Sequence, residues 1–424
     1  MTDERGYTAT NHHVTTAQPT LGDRGYLAIA LLGVFATLVL ITLPVFVAEL
    51  TSDRDWSDTR LGWLASMDLG AGALASTVLF PFVDRLPWQR TARISLVLVI
   101  VGNLACSAAF SFTILLVLRF AVGFANGIIL VLVFVTLSNS SHPDRFFGVY
   151  VFAQLLLQAT MLLLIPTISG TFGANAIFLT FALCSAMTFP LINSLPLSPT
   201  STATEAETFR EERISAHLKL PQFRVIIALA AQALYFLAPA ALWSYLEPIG
   251  VDFSIAKDQI NHALALSALF GVAGAVAAIQ LAEVQSRLAA MAAGTLLSLL
   301  SVLLFLYGSG SSLFTGAVAV FSFAWNFTFP FQMGVIAALD PSGRAASLSL
   351  TVQLAGLGVG PALVAISLSL GATLDAVITI SGIVFVAAFI LFLGAVVRLS
   401  ERNMQRSTSP LAKSNSEREG GGLS

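Results

Sequence analysis

The chain has 424 residues, of which 56% are hydrophobic and only 10% charged, with a formal net charge of −2. A soluble domain needs more polar surface than this to cover itself, which excludes that class. The near-zero net charge carries no message about partners, and no basic tract points to nucleic acid.

Apolar stretches of about 20 residues recur, each long enough to cross a bilayer core of about 30 Å. A β-barrel would read instead as short alternating segments. The expected fold class is therefore an all-α polytopic membrane protein. In chain order, a polar tail (1–24) precedes a first apolar run at 25–48. That run is too long for a signal-peptide core and has no clear cleavage site. Further spans are predicted at 61–82, 93–112, 114–138, 147–168 and 173–193. A Ser/Thr/Pro-rich and then charged stretch, 194–222, reads as a linker. Six more spans follow at 223–246, 260–282, 288–308, 312–338, 345–369 and 373–397, and the chain ends in a polar tail, 398–424. The expectation is twelve transmembrane helices in two six-helix halves, 25–193 and 223–397. Cys106 and Cys184 both lie inside apolar runs and read as packing residues.

With the N-terminus inside, the cytoplasmic segments would hold 17 of the 21 Lys and Arg residues, while the outer loops would hold Arg54, Arg60 and Lys257. The positive-inside bias therefore predicts both termini and the 194–222 linker in the cytoplasm of a plasma (inner) membrane protein. The stretch PFVDRLPWQRTAR (81–93) falls in the loop after the second span. Its charges either set topology or contribute to gating.

Some residues repeat at one offset. Asp84 and Glu283, Arg145 and Arg344, Gln154 and Gln353, and Gly72 and Gly271 are each 199 apart, and Glu49 and Glu247 are 198 apart. A common offset with matched topology implies a parallel internal repeat, a transporter architecture.

These features resemble the major facilitator superfamily over essentially the whole chain. Asp84-Arg85 fall where the family places its cytoplasmic loop motif. Phe80 and Pro87 replace the glycines of that motif, and Trp88 and Gln89 replace its basic pair. Leu115, Arg119 and Gly123 stand at the family's spacing in the fourth span, followed by Gly127. The resemblance implies alternating access, with Asp84, Arg85, Arg145, Glu283 and Arg344 as gating candidates. It also implies that spans one, four, seven and ten surround the cavity.

Arg119 lies inside a span, where an unpaired cation is costly. It should face the cavity, pair with an acid, or snorkel to the interface. Asp68 is the natural acid to consider, either as a proton carrier or as a packing acid. Glu49 and Glu247 are placed near the outer interface, as further coupling or gating candidates. Asn126 faces the cavity or bonds across helices, while Gly123 and Gly127 suit close helix packing.

The tenth span contains FSFAWNFTFPFQ. At 100° per residue, Phe321, Trp325 and Phe329 form one stripe, and Phe323, Phe327 and Phe331 form another nearly opposite. One stripe can face lipid and the other protein or cavity, with Asn326 and Gln332 adding polar contacts, and span seven offers Gln232, Tyr235, Trp243 and Tyr245, another mix of rings and hydrogen-bonding groups. Such a wall suits an apolar or aromatic, neutral or weakly anionic small solute.

No Walker loop, nucleophile elbow or metal-ligand spacing appears, so no enzyme activity and no cofactor is expected. The partners are then a small-molecule substrate, protons and the lipid bilayer, with the chain working as a monomer. Proton coupling is preferred to sodium, because lone acids are present and no broken helix is evident. An uncoupled facilitator or a non-transporting membrane sensor are the alternatives.

Overall fold

A backbone in lipid must satisfy its amides and carbonyls within its own segment, and the described residues do this with helices. The computed structural model describes residues 21–54, 56–109, 111–138, 140, 143–197, 223–281, 286–308, 310–340 and 344–419. The first half holds α1 (Asp23–Phe35), α2 (Leu38–Arg54), α3 (Asp58–Leu79), α4 (Trp88–Ser107), α5 (Phe112–Ser138), α6 (Pro143–Phe172) and α7 (Asn175–Met187). Two 3₁₀ turns, Phe80–Arg85 and Phe189–Ser194, cap α3 and α7. The second half holds α8 (Phe223–Ser244), α9 (Leu246–Asp252), α10 (Lys257–Leu281), α11 (Arg287–Tyr307), α12 (Ser311–Leu339), α13 (Arg344–Ser369) and α14 (Leu374–Glu419). Gly173 (φ 81°) and Gly371 (φ 88°) supply the left-handed backbone that turns α6 into α7 and α13 into α14.

Eleven stretches among the described residues are long and apolar enough to cross a membrane. The helix α3 falls outside that set although it has 22 residues. Its Asp68 and its Gly/Ala/Ser content lower its hydropathy. The first stretch, Asp23–Leu50, joins α1 and α2 across an interruption at Ala36–Thr37, which was not expected from the sequence. The third span also differs from expectation. It starts at Trp88, five residues before the predicted 93, because Pro87 in extended conformation opens the helix and its first turns carry Arg90 and Arg93.

Helix pairings recur in the two halves. In the first, α5 packs on α3 and α4, and α4 on α7; in the second, α12 packs on α10 and α11, and α11 on α14. The repeat extends to single residues. A Cβ on Gly72 would lie 3.5 Å from the Gly123 carbonyl and 3.9 Å from Gly127 Cα. On Gly271, 199 residues later, it would lie 3.0 Å from both Ser322 and Asn326, which are Gly123 and Gly127 shifted by the same 199. Between halves, α3 packs on α13 and α6 on α10.

The apolar core is divided unevenly. Asp23 and Arg145 are paired, so the starts of α1 and α6 share one face of the bundle, here the Asp23 face. At the opposite face, near Glu49, one cluster joins both halves, running from Leu38, Phe46, Leu61 and Phe178 to Trp243, Tyr245, Phe321 and Leu357. At the Asp23 face there are two clusters. One is drawn only from the first half (Ile29, Leu96, Ile129, Phe146) and one only from the second (Val225, Met291, Phe331, Phe392). Val117, Leu183, Ile279 and Leu296, all more than 60% exposed, point outward, where lipid would replace water.

Candidate functional site

Arg119 is fully buried and Asp68 nearly so. The α3–α5 approach that brings them together depends on Gly123, since a Cβ there would run into the Asp68 backbone carbonyl. Arg119 Nη2 donates to Asp68 Oδ2, and Nη1 donates to Asn103 Oδ1 of α4 at 2.9 Å. Its guanidinium also lies 5.9 Å from the Phe46 ring centroid, while its Nε finds no acceptor among the described residues. Of the outcomes open from sequence, acid pairing is the one adopted, and the burial leaves no guanidinium face for an anionic solute in this conformation. The counterparts of Asp68 and Arg119, shifted by 199, are Ser267 and Val318, so the pair belongs to one half only. Asn103 went unnoticed in the sequence; its only signal was a lone amide within an apolar run.

An aromatic seam joins α8 and α12. Trp243 stacks on Phe321 (6.5 Å, 11°), Phe321 meets Trp325 (5.8 Å), and Phe236 meets Trp325 and Phe329 edge-on (6.3 and 5.6 Å). Trp243 Nε1 donates to the Leu40 carbonyl across the halves at 2.9 Å. Both stripes of α12 pack against protein. Phe327 and Phe331 are buried, and a Cβ on Gly274 of α10 would meet the Phe323 backbone carbonyl. The physical reason is that α12 is wrapped by α8, α10 and α11.

Beside this seam lies a polar cluster. Ser349 Oγ donates to Gln232 Oε1 (2.5 Å), and Gln353 Nε2 donates to Ser349 Oγ (3.1 Å). In the other half Gln154 Nε2 donates to Thr37 Oγ1 at 3.0 Å, at the interruption between α1 and α2. Gln154 and Gln353 are both half-buried and occupy repeat-related places on α6 and α13. The sequence marked them as repeat partners but not as site residues.

Other candidates point elsewhere. Asn126 lines a small void with Leu32, Leu96, Ser185 and Thr188 inside the first half. Asn326 bonds back to the Ser322 carbonyl (3.0 Å) and faces Gly271. Tyr235 is buried against Phe385 (5.6 Å) inside the second half. Glu49 is half-buried. Glu247 is not at an open interface, as placed from sequence, but 99% buried at the start of α9. Its nearest cation, Lys257 Nζ, is 3.9 Å away, and neither carboxylate oxygen has a hydrogen-bond partner among the described residues. Burial pushes its carboxyl up to about 8, opposed by Lys257 and assisted by Glu49.

The 81–93 stretch is fastened to its own half. Trp88 Nε1 donates to the Val83 carbonyl (2.8 Å), Gln89 Nε2 to the Leu195 carbonyl (2.7 Å), and Arg93 to Asn193 Oδ1 (3.0 Å). The residues that replace the family's basic pair thus tie this loop to the turn after α7. Arg85 is exposed over Phe82, and Arg145 pairs with Asp23 at 3.0 Å on the surface, a contact of small energy. The side chains of Asp84 and Arg344, and all of Glu283, lie outside the described residues.

A bundle of paired halves whose apolar cores merge at one face and stay separate at the other suits moving a solute. In class the chain is a secondary transporter. The Major Facilitator Superfamily profile matches residues 26–361, and the chain belongs to that family. No curated protein matches it. Among solved structures, the crystal structure of a mutant of the nucleoside transporter NupG is similar, with a TM-score of 0.69. The match covers 88% of this chain and 100% of that one at 13% identity, a likeness of fold.

Proposed function

We propose that the chain carries a small neutral organic solute across the plasma (inner) membrane by alternating access, coupled to protons. It would act as a monomer of twelve spans, with α3 as the twelfth, in halves 25–193 and 223–397 and with both termini cytoplasmic. The Asp23 face would then be cytoplasmic, and the separate cores there support a cytoplasm-open state. The observation that carries this reading is the divided core, shared by both halves at the Glu49 face and separate at the Asp23 face. The cytoplasmic loop tied to its own half fits the same state, since its closing contacts would form only when the halves meet there.

The cargo class follows from the lining. Phe236, Trp325 and Phe329 offer ring faces, and the amides of Gln154 and Gln353 both donate and accept. With Arg119 held by Asp68, a neutral solute is favoured over an anionic one. The likeness to NupG adds nucleosides to the solutes worth screening. A thermal-shift screen over neutral ring-bearing solutes, followed by flux in proteoliposomes with and without a pH gradient, tests the reading. Flux that ignores the gradient supports the uncoupled facilitator instead, and no flux for any solute that binds supports a sensor.

Two expectations follow. Reporter fusions at the C-terminus and near residue 205 should both be active only on the cytoplasmic side; activity outside at either place contradicts the topology. Asp68 is the proposed proton carrier, released from Arg119 when α3 and α5 shift. Asp68→Asn, whose amide still accepts from Arg119, should lose gradient-driven accumulation yet keep exchange at equal concentrations. Full accumulation by this variant would remove Asp68 from the coupling mechanism.

A further inference from the structure

Glu247 sits where the two halves meet at the Glu49 face, and the proposed mechanism does not use it. Its helix α9 packs on α2 of the other half and on α8 and α10 of its own. Seam contacts surround it. A Cβ on Gly62 of α3 would strike Tyr245, Ala365 and the Pro361 carbonyl, and Trp243 bonds to Leu40. The described charged or titratable side chains nearby are the buried Tyr245 at the start of α9, Glu49 on α2, Lys257, Asp258 and His262 on α10, and Asp252 on α9 itself. The last four are exposed and Glu49 is half-buried. A buried carboxylate with two empty oxygens and a like charge opposite is unfavourable, whereas the same group carrying a proton is a neutral packing residue.

We infer that Glu247 is a proton-binding site open to the outer solution, and that its proton must be bound for the outer seam to close. This rests on the alternating-access reading but not on Asp68. When the seam parts, water reaches the carboxyl and it ionises, moving toward Lys257 and away from Glu49. The proton returns to the side it came from, because the shared core cluster lies between Glu247 and the Asp23 face. Glu247 therefore senses outer pH and does not carry the coupled proton. The sign follows from its raised affinity for protons: the closed seam is favoured in acid, and that advantage is lost as pH rises through about 8.

The test measures outer-side labelling of Ala365→Cys, with Leu40→Cys as a second reporter, in sealed cells expressing the full chain. An impermeant thiosulfonate is applied at about pH 6 and about pH 9. The chain without the added cysteine gives the background of the buried Cys106 and Cys184. Each rate is divided by that of the same reporter carrying Glu247→Gln at the same pH, which cancels thiol ionisation. Glu247→Leu is a second neutral variant should the amide fold poorly, and His262→Gln controls for the exposed histidine. The ratio should rise at least tenfold from the lower to the higher pH, because ionisation favours the parted seam progressively from the ordinary carboxyl range up to about 8 and levels off above it. Gln353→Cys, labelled from the cytoplasmic side in inverted vesicles, should change in the opposite sense when its own rates are normalised in the same way. A ratio equal at both pH values overturns the site and leaves alternating access standing. An outer reporter that never labels in any chain at any pH overturns both.

Discussion

Asp68→Ala is expected to destabilise the folded chain by about 3–5 kcal/mol, the usual result of orphaning a fully buried charge. Arg119 would keep Asn103, Cys106 and the face of Phe46 but no carboxylate, and a guanidinium cannot shed its charge. Arg119→Met should cost less, because the abandoned Asp68 can take up a proton. The double variant Asp68→Ala/Arg119→Met should be more stable than Asp68→Ala alone, since a buried pair replaced by apolar groups is often tolerated. The second half shows that the fold accepts this, with Ser267 and Val318 in the corresponding places. Thermal unfolding of the purified chains measures all three. If the double variant is the least stable of the set, the pair contributes net stability and the energetic ordering above is wrong. Arg119→Lys should also fail to restore transport, because an ammonium cannot address Asp68 and Asn103 with a planar fork.

Gly62→Ala is the second change with a large expected effect. The added methyl has no room against Tyr245, Ala365 and the Pro361 carbonyl, two of which belong to α13 across the seam. Backbone cannot yield as a long side chain can, so the seam must part. Overpacking of this kind costs about 1–3 kcal/mol. A penalty confined to one of two states shifts their ratio by roughly tenfold for each 1.4 kcal/mol. The variant should therefore populate the state open at the Glu49 face while remaining inserted and stable.

Much of this was legible in the sequence because a bilayer imposes a coarse rule. Long apolar runs marked the spans, the Lys/Arg bias suggested an orientation, and Arg119 stood out because cations are rare inside spans. Asp68 followed as the acid within reach. The direction each helix faces was far less legible. In a soluble helix the polar face reveals the buried one; in these helices lipid-facing and core-facing residues are equally apolar, as Ile279 beside the buried Ala278 shows. That is why both phenylalanine stripes of α12 turned out to pack on protein, and why Asn126 and Tyr235 point into single halves. Glu247 escaped for another reason. Its position just past a span suggested an open interface, but α9 folds back under the seam and takes the carboxylate out of water. The interruption at Ala36–Thr37 carries no proline or glycine at the break itself, so nothing local announced it.

Pulsed electron–electron distances between spin labels test alternating access most directly, and they need no knowledge of the cargo. One pair reports the Asp23 face, from Arg90→Cys and Arg287→Cys at the starts of α4 and α11. The other reports the Glu49 face, from Ser107→Cys and Tyr307→Cys at the ends of the same two helices. Alternating access predicts that introducing Gly62→Ala lengthens the Ser107–Tyr307 distance and shortens the Arg90–Arg287 distance. Distances that stay fixed at both faces, or that lengthen together, would contradict it.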